Sequence, residues 1–198
     1  PGQDDKDTTS SENTSNYDYS SYSATSTNTN LSGETISSAT SGESAVYITE
    51  NRITIEESEI VKSGDISDDN KEDSEFYGIN AAILVTSNST ATIKNATITT
   101  SAKGANAVFS TGTDSKIYIS DSKITSTGSS SARGLDATYG GYIEADNVEI
   151  TTQGGSCATL ATDRGEGTVK VSNSKLETNG SGSPVIYSTG DISRSEER

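Results

Sequence analysis

The stretch Ile117-Tyr-Ile-Ser-Asp-Ser-Lys-Ile124 decides the fold, because it recurs. It returns as Ile53-Thr-Ile-Glu-Glu-Ser-Glu-Ile60, Ala91-Thr-Ile-Lys-Asn-Ala-Thr-Ile98, Ile143-Glu-Ala-Asp-Asn-Val-Glu-Ile150 and Val169-Lys-Val-Ser-Asn-Ser-Lys-Leu176, and the last four copies in chain order lie 26 residues apart. A fixed period of that size marks a solenoid, in which one repeat forms one layer and no layer buries its apolar face alone. Positions 1 and 3 of each octet are aliphatic while 2 and 4 are polar, the alternation of a strand with one buried face. Position 5 reads Glu57, Asn95, Asp121, Asn147 and Asn173, and Asn and Asp favour turns because they bond their own backbone. That position predicts a corner, and position 8 resumes the apolar rank.

A glycine follows each octet, at Gly64, Gly104, Gly128, Gly154 and Gly180. A third apolar run comes before the next copy, for example Ala45-Val-Tyr-Ile48, Ala107-Val-Phe109, Gly134-Leu-Asp-Ala137 and Pro184-Val-Ile-Tyr187. Three short strands per repeat predict an all-β, single-stranded parallel β-helix of about five coils of 26 residues, right-handed as crossovers between parallel strands almost always are. No apolar spacing of three and four residues supports a helical solenoid.

The predicted organisation has three parts. Residues 1–44 are rich in Ser, Thr, Asn and Tyr and read as a disordered leader or stalk, with Tyr17, Tyr19 and Tyr22 in a solvated linker. Residues 45–192 form the β-helix, and residues 193–198 a charged tail. Within the stack the first interval is 38 rather than 26, and the additional residues match an acidic insertion at 65–76. Insertions leave a solenoid on one face, so this one is expected as a solvent loop. A sixth octet is due near residue 195, where the aliphatic pattern fails. The last coil is therefore expected to be completed by another chain or by missing sequence, giving end-to-end self-association through the C-terminal coil.

Only 29% of the 198 residues are hydrophobic, which a thin solenoid core accommodates and a compact globule does not. The net charge of −15 opposes nucleic acid and anionic membrane surfaces as partners, and no apolar run is long enough to span a bilayer. There is no histidine, so a Ser/His/Asp triad is excluded, and the lone Cys157 forms no intrachain disulfide and reads as a buried, inert thiol. Charges alternate up the outward ranks, Lys123, Glu149 and Lys175 at position 7 and Glu144 and Lys170 at position 2, which predicts cross-strand ion pairs. The same charges interrupt the Thr97 and Thr99 pattern that a flat ice-binding array would need.

One constellation carries a candidate site. Arg133-Gly-Leu-Asp136 and Thr162-Asp-Arg-Gly165 lie about one coil apart, with Tyr139 and Tyr142 between them. Arg133, Asp136, Tyr139, Tyr142, Asp163 and Arg164 are thereby candidates for a sugar-binding shelf, with Asp accepting hydroxyl bonds and Tyr stacking on a ring. The bland alternative is a pair of turns. The insertion contributes Asp65, Asp68, Asp69, Glu72, Asp73 and Glu75 as weak calcium candidates, but their spacing lacks the glycine-anchored alternation of a calcium loop, and a solvated charge run is the expected reading. No cofactor and no metal is predicted.

The alternating octets, the Asn/Asp corner, the glycine after each coil and the Ser/Thr-rich leader resemble the repeats of exported bacterial adhesin-like β-helix proteins, which have the pectin-lyase-like fold. The resemblance covers about residues 45–192. It implies an extracellular or bacterial cell-surface, non-enzymatic scaffold whose partners are extracellular or host glycans or surface proteins. Two alternatives remain open, a polysaccharide lyase or glycoside hydrolase of that fold and a purely structural spacer, because the fold hosts catalytic and non-catalytic proteins alike.

Overall fold

A computed structural model of the chain describes residues 17–188 and 190–195. Part of the expected leader, residues 1–16, and the last three residues of the expected tail lie outside them. The described chain is a parallel β-solenoid of about six turns. One face is a seven-stranded sheet of third strands, stacked in the order β1 (Ala24–Thr27), β4 (Ser44–Ile48), β7 (Ile83–Val85), β10 (Val108–Thr111), β12 (Leu135–Thr138), β14 (Leu160–Thr162) and β17 (Ile186–Ser188). The octets build the other two. Their first halves stack as β2 (Leu31–Ser32), β5 (Arg52–Glu56), β8 (Ser89–Lys94), β11 (Ser115–Ser126), β13 (Tyr142–Thr152), β15 (Thr168–Ser172) and β18 (Asp191–Ser195). Their second halves add β3 (Thr35–Ser38), β6 (Glu59–Lys62), β9 (Thr97–Thr100), the C-terminal parts of β11 and β13, and β16 (Lys175–Thr178).

The octet pattern fixes the register. Ile55, Ile93, Ile119, Ala145 and Val171 are lateral neighbours in successive turns and all point into one core, with Ile60, Ile98, Ile124 and Ile150 forming a parallel rank. Each fully buried Ile contributes about 1.5–3 kcal/mol of transfer free energy. The corner lies at position 5, where Glu57, Asn95, Asp121, Asn147 and Asn173 all adopt left-handed φ of 49–53°. Asn and Asp tolerate that region better than other residues with a Cβ. The corner side chains also bond between turns, Asn147 Nδ2 donating to Asp121 Oδ1 at 2.7 Å and Asn173 Nδ2 to Asp146 Oδ1 at 2.8 Å. Gly154 is required for close approach, since a Cβ there would run into the Gly128 carbonyl of the turn below.

Four expectations are corrected. First, the stack reaches back into the predicted leader: β1 to β3 pair with β4 to β6, so the first turn begins at Ala24 and not near residue 45. The tyrosines ahead of it are docked rather than solvated, because their rings find an apolar surface on the outside of the third-strand sheet. Tyr19 and Tyr22 pack against Tyr47, Ala81, Leu84 and Phe109.

Second, the acidic insertion is not an open loop. A 3-10 turn at Asp68–Asn70 leads into helix α1 (Lys71–Tyr77), which ends on Gly78 at φ 74°. The helix is held by Asn106 Nδ2 donating to the Ser74 carbonyl at 3.0 Å and Thr138 Oγ1 to the Phe76 carbonyl at 2.8 Å. Third, a further strand runs from Asp191 into the predicted tail: β18 pairs with β15 with Ile192 beside Val169, an interval of 23 residues that replaces the expected 26. Fourth, the alternating surface charges lie in register, yet none of their pairs is among the ion pairs of the described residues. Lys170 sits instead over the Tyr142 ring, 5.6 Å from its centroid, and the Tyr142 hydroxyl donates to Glu144 at 3.0 Å.

Candidate functional site

Strand β12 alternates Leu135 and Ala137 into the core, so Asp136 points outward, in register with Phe109 on one side and Ala161 on the other. An outward aspartate would ordinarily meet water. This one is 0% exposed. The Arg133 guanidinium lies against it, with Nη1 3.1 Å from Asp136 Oδ2 and 2.8 Å from Asp163 Oδ2, while Nη2 approaches Glu75 of α1 at 3.6 Å. Asp163 follows β14 directly, so one arginine ties two successive turns to the inserted helix.

Three carboxylates around one buried cation leave an excess of negative charge. Burial pushes the Asp136 carboxyl up to about 7, with Asp163 and Glu75 adding to the rise and Arg133 opposing it. Its Oδ1 has no hydrogen-bond partner, as befits the carboxyl on which a proton is best placed. Burial disfavours the charged form of Arg133, but the attraction of Asp136 and Asp163 outweighs it and keeps the guanidinium protonated. One flank of the cluster opens on a cleft of about 220 Å³ formed by Arg133, Ser156, Ala158, Gly182, Pro184 and Tyr187. The Tyr187 ring is 42% exposed and lies 5.2 Å from the guanidinium.

The other candidates are placed elsewhere. Arg164 caps the Phe76 ring at 3.9 Å, and its carbonyl accepts the Tyr139 amide at 2.9 Å. Tyr139 is buried and stacks on Tyr77, with centroids 5.5 Å apart and planes within 5°. Tyr142 belongs to the octet face and lies 6.0 Å from Tyr118. The structure therefore joins Arg133, Asp136 and Asp163, sets Arg164 and Tyr139 against α1, and separates Tyr142 from both groups. Phe76 and Tyr187 were missed by the sequence reading, and Glu75 was read there only as a weak calcium candidate and not as a partner of Arg133. Tyr187 had a signal, since it shares the rank of Asp136 and Ala161; Glu75 had none, because it lies outside the repeat.

Among the acidic residues of the insertion, Asp65 accepts the Lys103 amide at 2.8 Å and Asp68 pairs with Lys103 Nζ at 2.8 Å. No group of three or more His, Cys, Asp or Glu among the described residues is arranged to hold a metal ion. Cys157 is buried, its pKa is raised by that burial, and its Sγ lies 3.2 Å from the Gly155 carbonyl, an environment that suppresses thiolate formation. No family model matches the chain, and neither a curated protein nor a solved structure matches it.

Proposed function

We propose that this chain is a non-catalytic, exported scaffold displayed at a cell surface, adhesin-like in use, whose partners are extracellular or host glycans or surface proteins. One observation carries the reading: the Arg133, Asp136, Asp163 and Glu75 cluster is closed on itself. A glycosidase needs two carboxyl groups flanking the scissile bond with room for substrate between them. Here the space between Asp136 and Asp163 is filled by the guanidinium, and Asp136 is fully buried. The same cluster suits a scaffold, since it locks adjacent turns and the helix together. The acidic surface, at a net charge of −15, fits an exported protein kept soluble by self-repulsion. Self-association through the edges of β16, β17 and β18, where Ile186 and Tyr187 stand exposed, belongs to the same proposal.

The test is incubation of the full chain with pectin, polygalacturonate and host-type glycans, reading new reducing ends and new uronate double bonds alongside retention on immobilised glycan. Retention without cleavage is the expected result. Cleavage that is abolished by Asp136→Asn in a folded variant would replace the scaffold with a lyase or hydrolase.

A further inference from the structure

Tyr17 and Tyr19 belong to no strand, yet they are held in place. The Tyr19 hydroxyl donates to the Tyr77 carbonyl at 2.9 Å, and the Tyr17 ring stacks on that of Tyr77 at 4.8 Å. A few residues on, the Tyr22 hydroxyl shares a 2.6 Å hydrogen bond with Ser44 Oγ and accepts the Asn80 amide at 3.2 Å. This fold-back packs Tyr17 against Tyr19 and Tyr19 against Tyr47 of β4, and all three tyrosines line an open cleft of about 130 Å³.

The rest of the lining is hydroxyl-rich. Because Ile48, Val85 and Ser110 are in register, the residues that follow them, Thr49, Thr86 and Thr111, stack across three successive turns at the base of the cleft; Thr86 and Thr111 are buried and bonded to the Ile48 carbonyl and to Thr138, so the part-exposed Thr49 and Ser87 supply its reachable hydroxyls. Glu50 stands at the rim in a left-handed conformation, φ 48°, and is exposed. Among the described residues, no Lys or Arg lines the cleft.

Each of these features selects the same ligand chemistry. Aromatic walls accept the apolar C–H face of a pyranose ring, while hydroxyls and a carboxylate exchange hydrogen bonds with its OH groups. The Glu50 carboxylate at the cleft, the one charged side chain of its described lining, disfavours a uronate or sulfated sugar. Resting on the glycan contact proposed above, we propose that this cleft binds one ring of a neutral hexose oligosaccharide. The contact is then made at a place separate from the Arg133 cluster.

The experiment is a calorimetric titration of the full chain with cellohexaose, β-1,4-mannohexaose and β-1,4-galactohexaose, with hexagalacturonate as the charged comparison. Binding to at least one neutral hexaose is expected, together with weak or no binding of hexagalacturonate. Tyr17→Ala and Glu50→Gln should each weaken the neutral ligand at least tenfold while melting like the parent, and Tyr17→Phe should retain affinity because it keeps the ring. With no Trp in the chain, the ligand should also change the tyrosine emission, and Tyr17→Ala should lessen that change.

If a hexaose binds but neither substitution weakens it, or if Tyr187→Ala weakens it instead, the cleft assignment is wrong and the glycan reading stands. Tighter binding of hexagalacturonate than of any neutral hexaose has the same meaning. If none of the four oligosaccharides binds, both this assignment and the glycan contact fall.

Discussion

Replacing Asp136 by Asn tests whether the buried cluster holds a proton or an ion pair. The Asp136 carboxyl is fully buried, one of its oxygens has no partner, and its pKa rises from 3.8 to about 7, chiefly through burial. The groups facing it are Arg133 from the segment before its own strand, Asp163 from the next turn and Glu75 from α1. A folded-state pKa above the unfolded one means that the folded chain binds the additional proton between the two. The contribution of Asp136 to stability is thus complete below about pH 4, declines as pH rises, and is lost above about pH 7. At ~1.4 kcal/mol per pH unit the whole span is worth up to about 4 kcal/mol. Asp136→Asn removes this titration. Parent and variant should be equally stable near pH 4, and the variant should be the more stable by up to about 4 kcal/mol at pH 8. Urea unfolding followed by circular dichroism at both pH values measures the difference, and taking the difference cancels the other carboxylates. A variant that loses ~3–5 kcal/mol at pH 8, as a broken buried ion pair does, would show that Asp136 is the ionised partner of Arg133 and refute the reasoning.

Two further substitutions test the facing of the coil and the seating of the helix. Ile119→Asp buries a charge at a side chain 2% exposed and should cost several kcal/mol. Tyr118→Asp, at 38% exposed, should change thermal stability by no more than about 0.5 kcal/mol, and the reverse order would invert the facing. Gly78→Ala should loosen α1, because the new Cβ would lie 2.5 Å from Phe109 Cδ1 and 2.6 Å from Leu84 Cδ1 in a left-handed backbone. Limited proteolysis should then cut within residues 66–79, and an unchanged digestion pattern would show that the helix does not depend on this contact.

What the sequence disclosed depended on how directly a residue's neighbours follow from the period. Ile117 to Ile124 could be placed to the residue, because alternation and a 26-residue repeat specify both facing and lateral partners. The first turn was hidden by its composition, since Leu31 and Ile36 are its only large aliphatics and Leu31 meets Ile55 after 24 residues, not 26. The run Lys71-Glu-Asp-Ser-Glu-Phe-Tyr77 reads as solvated charge, and only Phe76 and Tyr77 hint that it docks. Its helix comes from tertiary partners on the third-strand sheet, which no local pattern announces. In the candidate site, the meeting of Asp136 with Asp163 was legible from their near-coil spacing, while Tyr142 was misplaced because it begins β13 on a different face.

Helix α1 changes how the stack is expected to come apart. In a solenoid each layer touches only its two neighbours, so unfolding can start at an end and travel inward one layer at a time. The helix breaks that rule. Through Tyr19, Asn106, Arg133, Thr138, Tyr139 and Arg164 it bonds or packs with chain from before the first turn and from turns on the far side of its own. Fraying that reaches this strap must release it from several layers at once, so the chain from Tyr19 to Arg164 should behave as a single block while the turns that follow it peel layer by layer. A seven-residue insertion helix thereby sets the length over which the whole rod unfolds cooperatively.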